Sequence, residues 1–116
     1  MKILSHPSIK DISVEGLLYA LSDPTRVKIF SDIARSDCSK ICSDYLGCTE
    51  TPLPKSTLSQ HFKILREAGL IRSERRGKEM HNTSRCAEFK ERFGPMVESI
   101  IDAYLKQNKK LKPRKK

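Results

Sequence analysis

No run of apolar residues in this 116-residue chain approaches membrane-spanning length. The first ten residues, with Pro7 and no apolar stretch after Lys2, do not form a signal peptide. No membrane partner and a cytoplasmic location are therefore expected. Cysteine is scarce: its four copies read as reduced thiols rather than as a disulfide framework. The sequence has no phosphate-binding glycine loop, no zinc-protease histidine pair and no nucleophile elbow, so nothing points to an enzyme or calls for a cofactor. Histidine stops at His81, and the last eleven residues contain no acid.

What is present fits one small domain. A 37% hydrophobic content supports a modest core that a second copy would help to close. The net charge of +9 is distributed unevenly. Residues 51–81 carry seven Lys or Arg against three acids, and the last eleven residues carry seven against none, while the remainder is slightly acidic. The body of the chain thus concentrates its positive charge in one stretch.

That stretch runs from Lys55 to His81 and reads as a helix followed by a basic hairpin. At about 100° per residue, Leu58, Phe62, Leu65 and Gly69 fall on one side and form a buried stripe. The opposite side carries Ser56, Ser59, Gln60 and Lys63, which can reach base edges and phosphates. Gly69 supplies a helix stop. Leu70 to Arg75 reads as a strand, Arg76-Gly77-Lys78 as a turn, and Glu79 to Ser84 as the returning strand. A polar-faced helix next to a basic hairpin suits a helix in the major groove with a ribbon on the adjacent backbone. The expected partner is double-stranded DNA. Ser56, Thr57, Ser59 and Gln60 are the candidate readers, Lys55 and Lys63 fix the helix on the backbone, and Arg75, Arg76 and Lys78 anchor the wing.

Three segments, Leu21-Ser-Asp-Pro-Thr-Arg26, Ser56-Thr-Leu-Ser-Gln-His61 and Leu65-Arg-Glu-Ala-Gly-Leu-Ile71, resemble signature stretches of ArsR/SmtB-type bacterial transcriptional regulators. The resemblance covers roughly residues 12 to 93. It implies a homodimeric winged-helix repressor, released from an inverted-repeat operator by a metal, metalloid, redox or small-molecule signal. The expected fold is mainly α with a small β-hairpin, a winged helix-turn-helix in the order α-α-α-α-β-β-α.

Residues 1–12 read as an N-terminal arm, 13–105 as the DNA-binding and dimerisation domain, and 106–116 as a disordered basic tail. Ser13 caps a first helix with Val14, Leu17, Leu18 and Leu21 as its core side, and Gly16 is expected to pack against another backbone. Asp23-Pro24 starts a second helix that buries Val27, Phe30, Ile33 and Ala34. Arg26 and Lys28 read first as residues of its solvated face, with an approach to phosphate as the alternative. Ser39 is expected to cap a short supporting helix with Ile41, Cys42, Tyr45 and Leu46 on one face. After the hairpin, Ser84 caps a helix through Phe93, which Gly94-Pro95 interrupts. Val97, Ile100, Ile101 and Tyr104 then line a broad apolar face, read as a dimer interface and implied as such by the resemblance.

Thiols give a second functional reading. Cys38 and Cys42 are spaced for one helix face and, with Cys48, form a candidate redox or metalloid-responsive set. The Cys-Val-Cys element common in metal sensors of the resembled family is replaced by Cys38-Ser-Lys-Ile-Cys42. The family's His-containing site on the last helix is absent, so no metal site is assigned. Cys86 reads as a small core residue and His61 as a packing or hydrogen-bonding group beside the apolar stripe. A third reading is a winged-helix module that binds protein or RNA.

Overall fold

The computed structural model describes residues 2–3, 6–35, 40–41 and 54–110. In chain order these form β1 (Lys2–Ile3), a single 3-10 turn (Ile9–Asp11), α1 (Val14–Ala20), α2 (Pro24–Arg35), β2 (Lys40–Ile41), α3 (Lys55–Ala68), β3 (Ile71–Arg76), β4 (Glu79–Ser84) and α4 (Cys86–Lys110). The result is a mainly helical winged helix-turn-helix with an antiparallel hairpin.

Local chemistry sets the helix ends. Ser13 Oγ accepts the Gly16 N–H at 3.0 Å and caps α1, and that hydroxyl, not another backbone, is what lies closest to Gly16. Asp23 Oδ1 accepts the Thr25 and Arg26 N–H groups at 2.7 and 3.3 Å, which starts α2 behind Pro24. Each such cap contributes about 1 kcal/mol. At the end of α3, Gly69 adopts φ 94°. The Gly69 N–H donates to the Arg66 carbonyl and the Leu70 N–H to the Leu65 carbonyl, at 3.1 and 3.0 Å. This is a Schellman termination, and Leu65 and Leu70 are both fully buried beside it.

The hairpin pairs Ile71 with Ser84 through Arg76 with Glu79, and Gly77 turns it at φ 63°. Two short strands that sequence patterning does not reveal extend it to a four-stranded sheet in the order β1-β3-β4-β2. Lys2 and Ile3 pair with Arg75 and Glu74, and Lys40 and Ile41 pair with Asn82 and His81. The expected supporting helix therefore does not hold at Ile41. The free edge of β4 offers backbone partners there, and tertiary pairing overrides a local helical pattern. Its other named positions, Cys42, Tyr45 and Leu46, lie outside the described residues, as do Cys38 and Cys48.

Leu17, Phe30, Leu58, Phe62, Leu65 and Phe89 centre a core that joins all four helices to the base of the hairpin. Three expectations change. Val14 and Leu18 stay on the surface, at 42% and 49% exposure, because α1 turns Leu17, Ala20 and Leu21 inward. Ser84 ends β4, and the first helical carbonyl of α4 is that of Arg85, which accepts from Glu88 and Phe89. Gly94-Pro95 does not interrupt α4, which runs continuously with Pro95 inside it. A helix-interior proline costs about 3 kcal/mol; burial of Phe93 and Val97 on either side offsets that cost. The helix continues to Lys110.

Arg85 is buried and ties the arm to α4. Its Nε and Nη2 donate to Glu88 Oε1 at 3.0 and 2.9 Å, and its Nη1 donates to the Pro7 carbonyl at 2.8 Å. Arg72 reaches the same carboxylate at 3.0 Å. The Arg85 hydrogen bond, helped by Arg72, holds the Glu88 carboxyl below the usual carboxylate range. His6 Nε2 accepts the Ser73 N–H at 2.9 Å, and Arg92 holds the Ile9 carbonyl at 3.2 Å. The arm is thus fastened along the hairpin and α4 by main-chain groups.

Candidate nucleic-acid interface

The residues that bury α3 also dictate what it displays. With Leu58, Phe62 and Leu65 in the core, Lys55, Ser56, Thr57, Ser59, Gln60 and Lys63 are all exposed. Pro54 places no side-chain cap on the helix start. A helix leaves its first-turn N–H groups without internal partners, and these favour phosphate.

The wing stands across from this face and encloses an open cleft of about 570 Å³. Lys55, Ser56, Ser59, Gln60 and Lys63 line one wall, and Arg75 and Lys78 line the other. The helix and hairpin candidates therefore converge on one groove. Thr57 is exposed but outside it, and Arg76 turns away. Adjacent strand residues face opposite sides, so Arg76 ion-pairs with Glu74 at 2.9 Å on the outer face of the hairpin, where His6 and His81 also lie.

Arg66, which is not among the residues expected from sequence, lines the same cleft and follows Ser59 and Lys63 at helical spacing. Among the described residues, five cations, Lys55, Lys63, Arg66, Arg75 and Lys78, thus surround three polar candidates, Ser56, Ser59 and Gln60. The only acid on the lining, among the described residues, is Glu79, whose carboxylate meets His81 Nε2 at 3.2 Å. This arrangement can hold two backbone phosphates apart while Ser59 and Gln60 face base edges.

The other candidates fall elsewhere. Val97 is buried in the protomer's own core, at 1% exposure, whereas Ile100, Ile101 and Tyr104 are half-buried and pack only partly against it. Cys86 is half-buried, and burial raises its thiol pKa, the direction opposite to that of a reactive thiolate. Among the described residues, no cluster of three or more His, Cys, Asp or Glu could hold a metal ion. No helix among them is long and apolar enough to cross a membrane. Arg26 departs most from expectation: it is buried, not solvated.

Residues 23–73 match the family described as bacterial regulatory protein, arsR family. No curated protein matches the chain in sequence. Several solved structures share the fold. Reduced HlyU from Vibrio cholerae is 24% identical, with a TM-score of 0.58 over 78% of this chain and 86% of its own. An ArsR-like transcriptional regulator from Rhodococcus sp. RHA1 is 23% identical, with a TM-score of 0.54 over 87% of this chain and 93% of its own. The homodimeric winged helix-turn-helix DNA-binding domain of a possible ArsR-family regulator from Mycobacterium bovis is 19% identical, with a TM-score of 0.59 over 77% of this chain and 78% of its own.

Proposed function

We propose, from the match of residues 23–73 to the arsR family of bacterial regulatory proteins, that this chain is a DNA-binding transcriptional repressor. It reads an inverted-repeat operator as a homodimer and leaves it on a cellular signal. The observation that carries this reading is the cleft in which Ser59 and Gln60 sit among five cations contributed by both α3 and the wing. Homodimer formation is supported by the half-buried Ile100, Ile101 and Tyr104 of α4 and by the homodimeric relative from Mycobacterium bovis.

In this reading α3 enters the major groove and the wing lies on the adjacent phosphates. Gln60 hydrogen-bonds a base edge, Ser56, Thr57 and Ser59 contact bases or nearby phosphates, and the cleft cations Lys55, Lys63, Arg66, Arg75 and Lys78 neutralise backbone charge. Two half-sites then lie about one helical turn apart, roughly 34 Å.

Selection from a random duplex pool by the full-length chain, in excess non-specific competitor DNA and reducing buffer, tests the proposal. Enrichment of an inverted repeat is the expected result. Enrichment of nothing from a folded protein removes the reading and favours a protein- or RNA-binding module. On the selected duplex, Gln60→Ala is expected to relax preference at one base pair, a loss of about 1–3 kcal/mol of discrimination there. Lys78→Ala is expected to weaken every duplex alike and to reduce the slope of log affinity against log salt by about one unit. Filter binding across a salt series separates the two behaviours.

A further inference from the structure

Arg26 sits where α1, α2 and α3 meet, and its guanidinium is shared among them. Nε donates to the Ala20 carbonyl at 2.7 Å and Nη2 to the Tyr19 carbonyl at 3.1 Å. Both acceptors belong to the last turn of α1, where carbonyls lack helical partners and the helix dipole favours a cation. The guanidinium carbon also lies 5.3 Å from the centroid of the Tyr19 ring, within cation–π range. The remaining arm, Nη1, meets His61 Nδ1 at 3.3 Å. His61 immediately follows Gln60 on α3, so this contact anchors the reading helix to the end of α1.

A guanidinium has only hydrogens to offer, so Nδ1 must accept and the imidazole proton must sit on Nε2. Protonation of His61 would place a hydrogen on Nδ1 and a second positive charge beside the first. The contact would turn from attraction to repulsion. We infer that Arg26 is a positioning residue for DNA reading, holding α3 against α1 through His61 and releasing it when that imidazole gains a proton. This rests on the proposed DNA-reading function and deepens it: Arg26 touches no DNA but fixes the helix that does.

The surroundings are consistent. Burial is the main influence that lowers the His61 pKa, with Arg26 acting in the same direction and Asp23 opposing both. Asp23 is itself held by the Thr25 and Arg26 N–H groups at the start of α2. His61 is therefore neutral at neutral pH and the contact is closed. Because the folded form resists protonation, the contact persists down to a pH below the ordinary histidine range and is lost as pH falls through the lowered value.

The test is duplex affinity of the full-length chain, from about pH 8 to about pH 5, for the parent, His61→Asn and Arg26→Lys. Asparagine places a non-titrating acceptor, Oδ1, close to the position of Nδ1. The parent is expected to lose about tenfold in affinity as His61 protonates, the equivalent of one charge-assisted hydrogen bond. His61→Asn is expected to bind within about twofold of the parent at the alkaline end and to lack that loss. His6 and His81 are the same in both proteins, so the difference between the two profiles isolates His61. Arg26→Lys keeps the charge but cannot span three acceptors, and is expected to lose about tenfold at every pH.

A His61→Asn profile that falls like the parent's overturns the inference. So does Arg26→Lys binding as tightly as the parent. Failure of the parent to bind any duplex at alkaline pH is a different result, which removes the DNA-reading function itself. Should Arg26→Lys fail to fold, the comparison of His61→Asn with the parent still decides.

Discussion

Gly69→Ala is expected to destabilise the fold by about 2–4 kcal/mol, more than most surface substitutions, although it adds a single methyl group. Gly69 ends α3 at φ 94°, a conformation that costs an alanine about 1–2 kcal/mol. A methyl there would also lie 2.5 Å from Ile12 Cγ1 and 2.6 Å from its Cδ1. Ile12 is buried and cannot swing into solvent, so the arm or the end of α3 must move. Gly69 joins the reading helix to the first strand of the wing, and its replacement disturbs both walls of the cleft. The expected observation is a lower urea midpoint with an unchanged slope, together with weaker duplex binding. A Gly69→Ala protein with the parental midpoint would show that the Ile12 contact relaxes freely. Gly77 is a useful comparison: it too has positive φ, but a methyl group there would meet nothing within 4 Å, so Gly77→Ala should lose only the conformational part.

The largest expected effect on binding comes from Ile100→Glu combined with Ile101→Glu. Both side chains are half-buried on α4 beyond Val97, where the protomer's own core has already closed. Two carboxylates on that face would not empty the interior, as a change at Val97 would, but they would have to be desolvated in an interface between copies. The protein is therefore expected to remain helical and to sediment as a monomer. A monomer engages one half-site at a time and loses the effective concentration that links two reading helices. Operator affinity should fall on the order of 100-fold, while affinity for an isolated half-site changes little. Sedimentation of the double variant as an undisturbed dimer would reject α4 as the dimer interface.

The parts of this fold that could be read from sequence are those specified locally. Leu58, Phe62 and Leu65 repeat at helical spacing, Gly69 ends the repeat, and Gly77 turns the hairpin, so α3 and the wing follow from neighbouring residues alone. The same periodicity places Ser59, Gln60 and Lys63 on the opposite face, and it would have found Arg66 had the stripe been followed one turn further. What escaped depends on distant partners. The two-residue strands at Lys2–Ile3 and Lys40–Ile41 exist only because β3 and β4 present free edges to them. Arg26 looks like a surface cation beside a helix start; the carbonyls of Tyr19 and Ala20 at the end of α1, seven and six positions earlier, draw it inside. Pro95 signals a break, yet the burial of Phe93 and Val97 around it keeps α4 whole. The opposite failure affects Val14 and Leu18, whose helical spacing promises a core that Ala20 takes instead.

Ser73 and Asn82 face each other across the hairpin, both buried, with Ser73 Oγ donating to Asn82 Oδ1 at 2.6 Å. Asn82 Nδ2 in turn donates to the Met80 carbonyl at 3.2 Å. A slip of one residue between the strands would carry Arg72 or Glu74 to the inner face and strand the amide among apolar neighbours. The hairpin therefore has one affordable alignment, and a neutral pair that never meets nucleic acid acts as its ruler. That ruler sets how far Arg75 and Lys78 project beyond the reading helix. In the proposed complex, the span from Gln60 at a base edge to Lys78 at a phosphate is a fixed length of the protein, so a duplex would have to match it in groove width as well as in sequence.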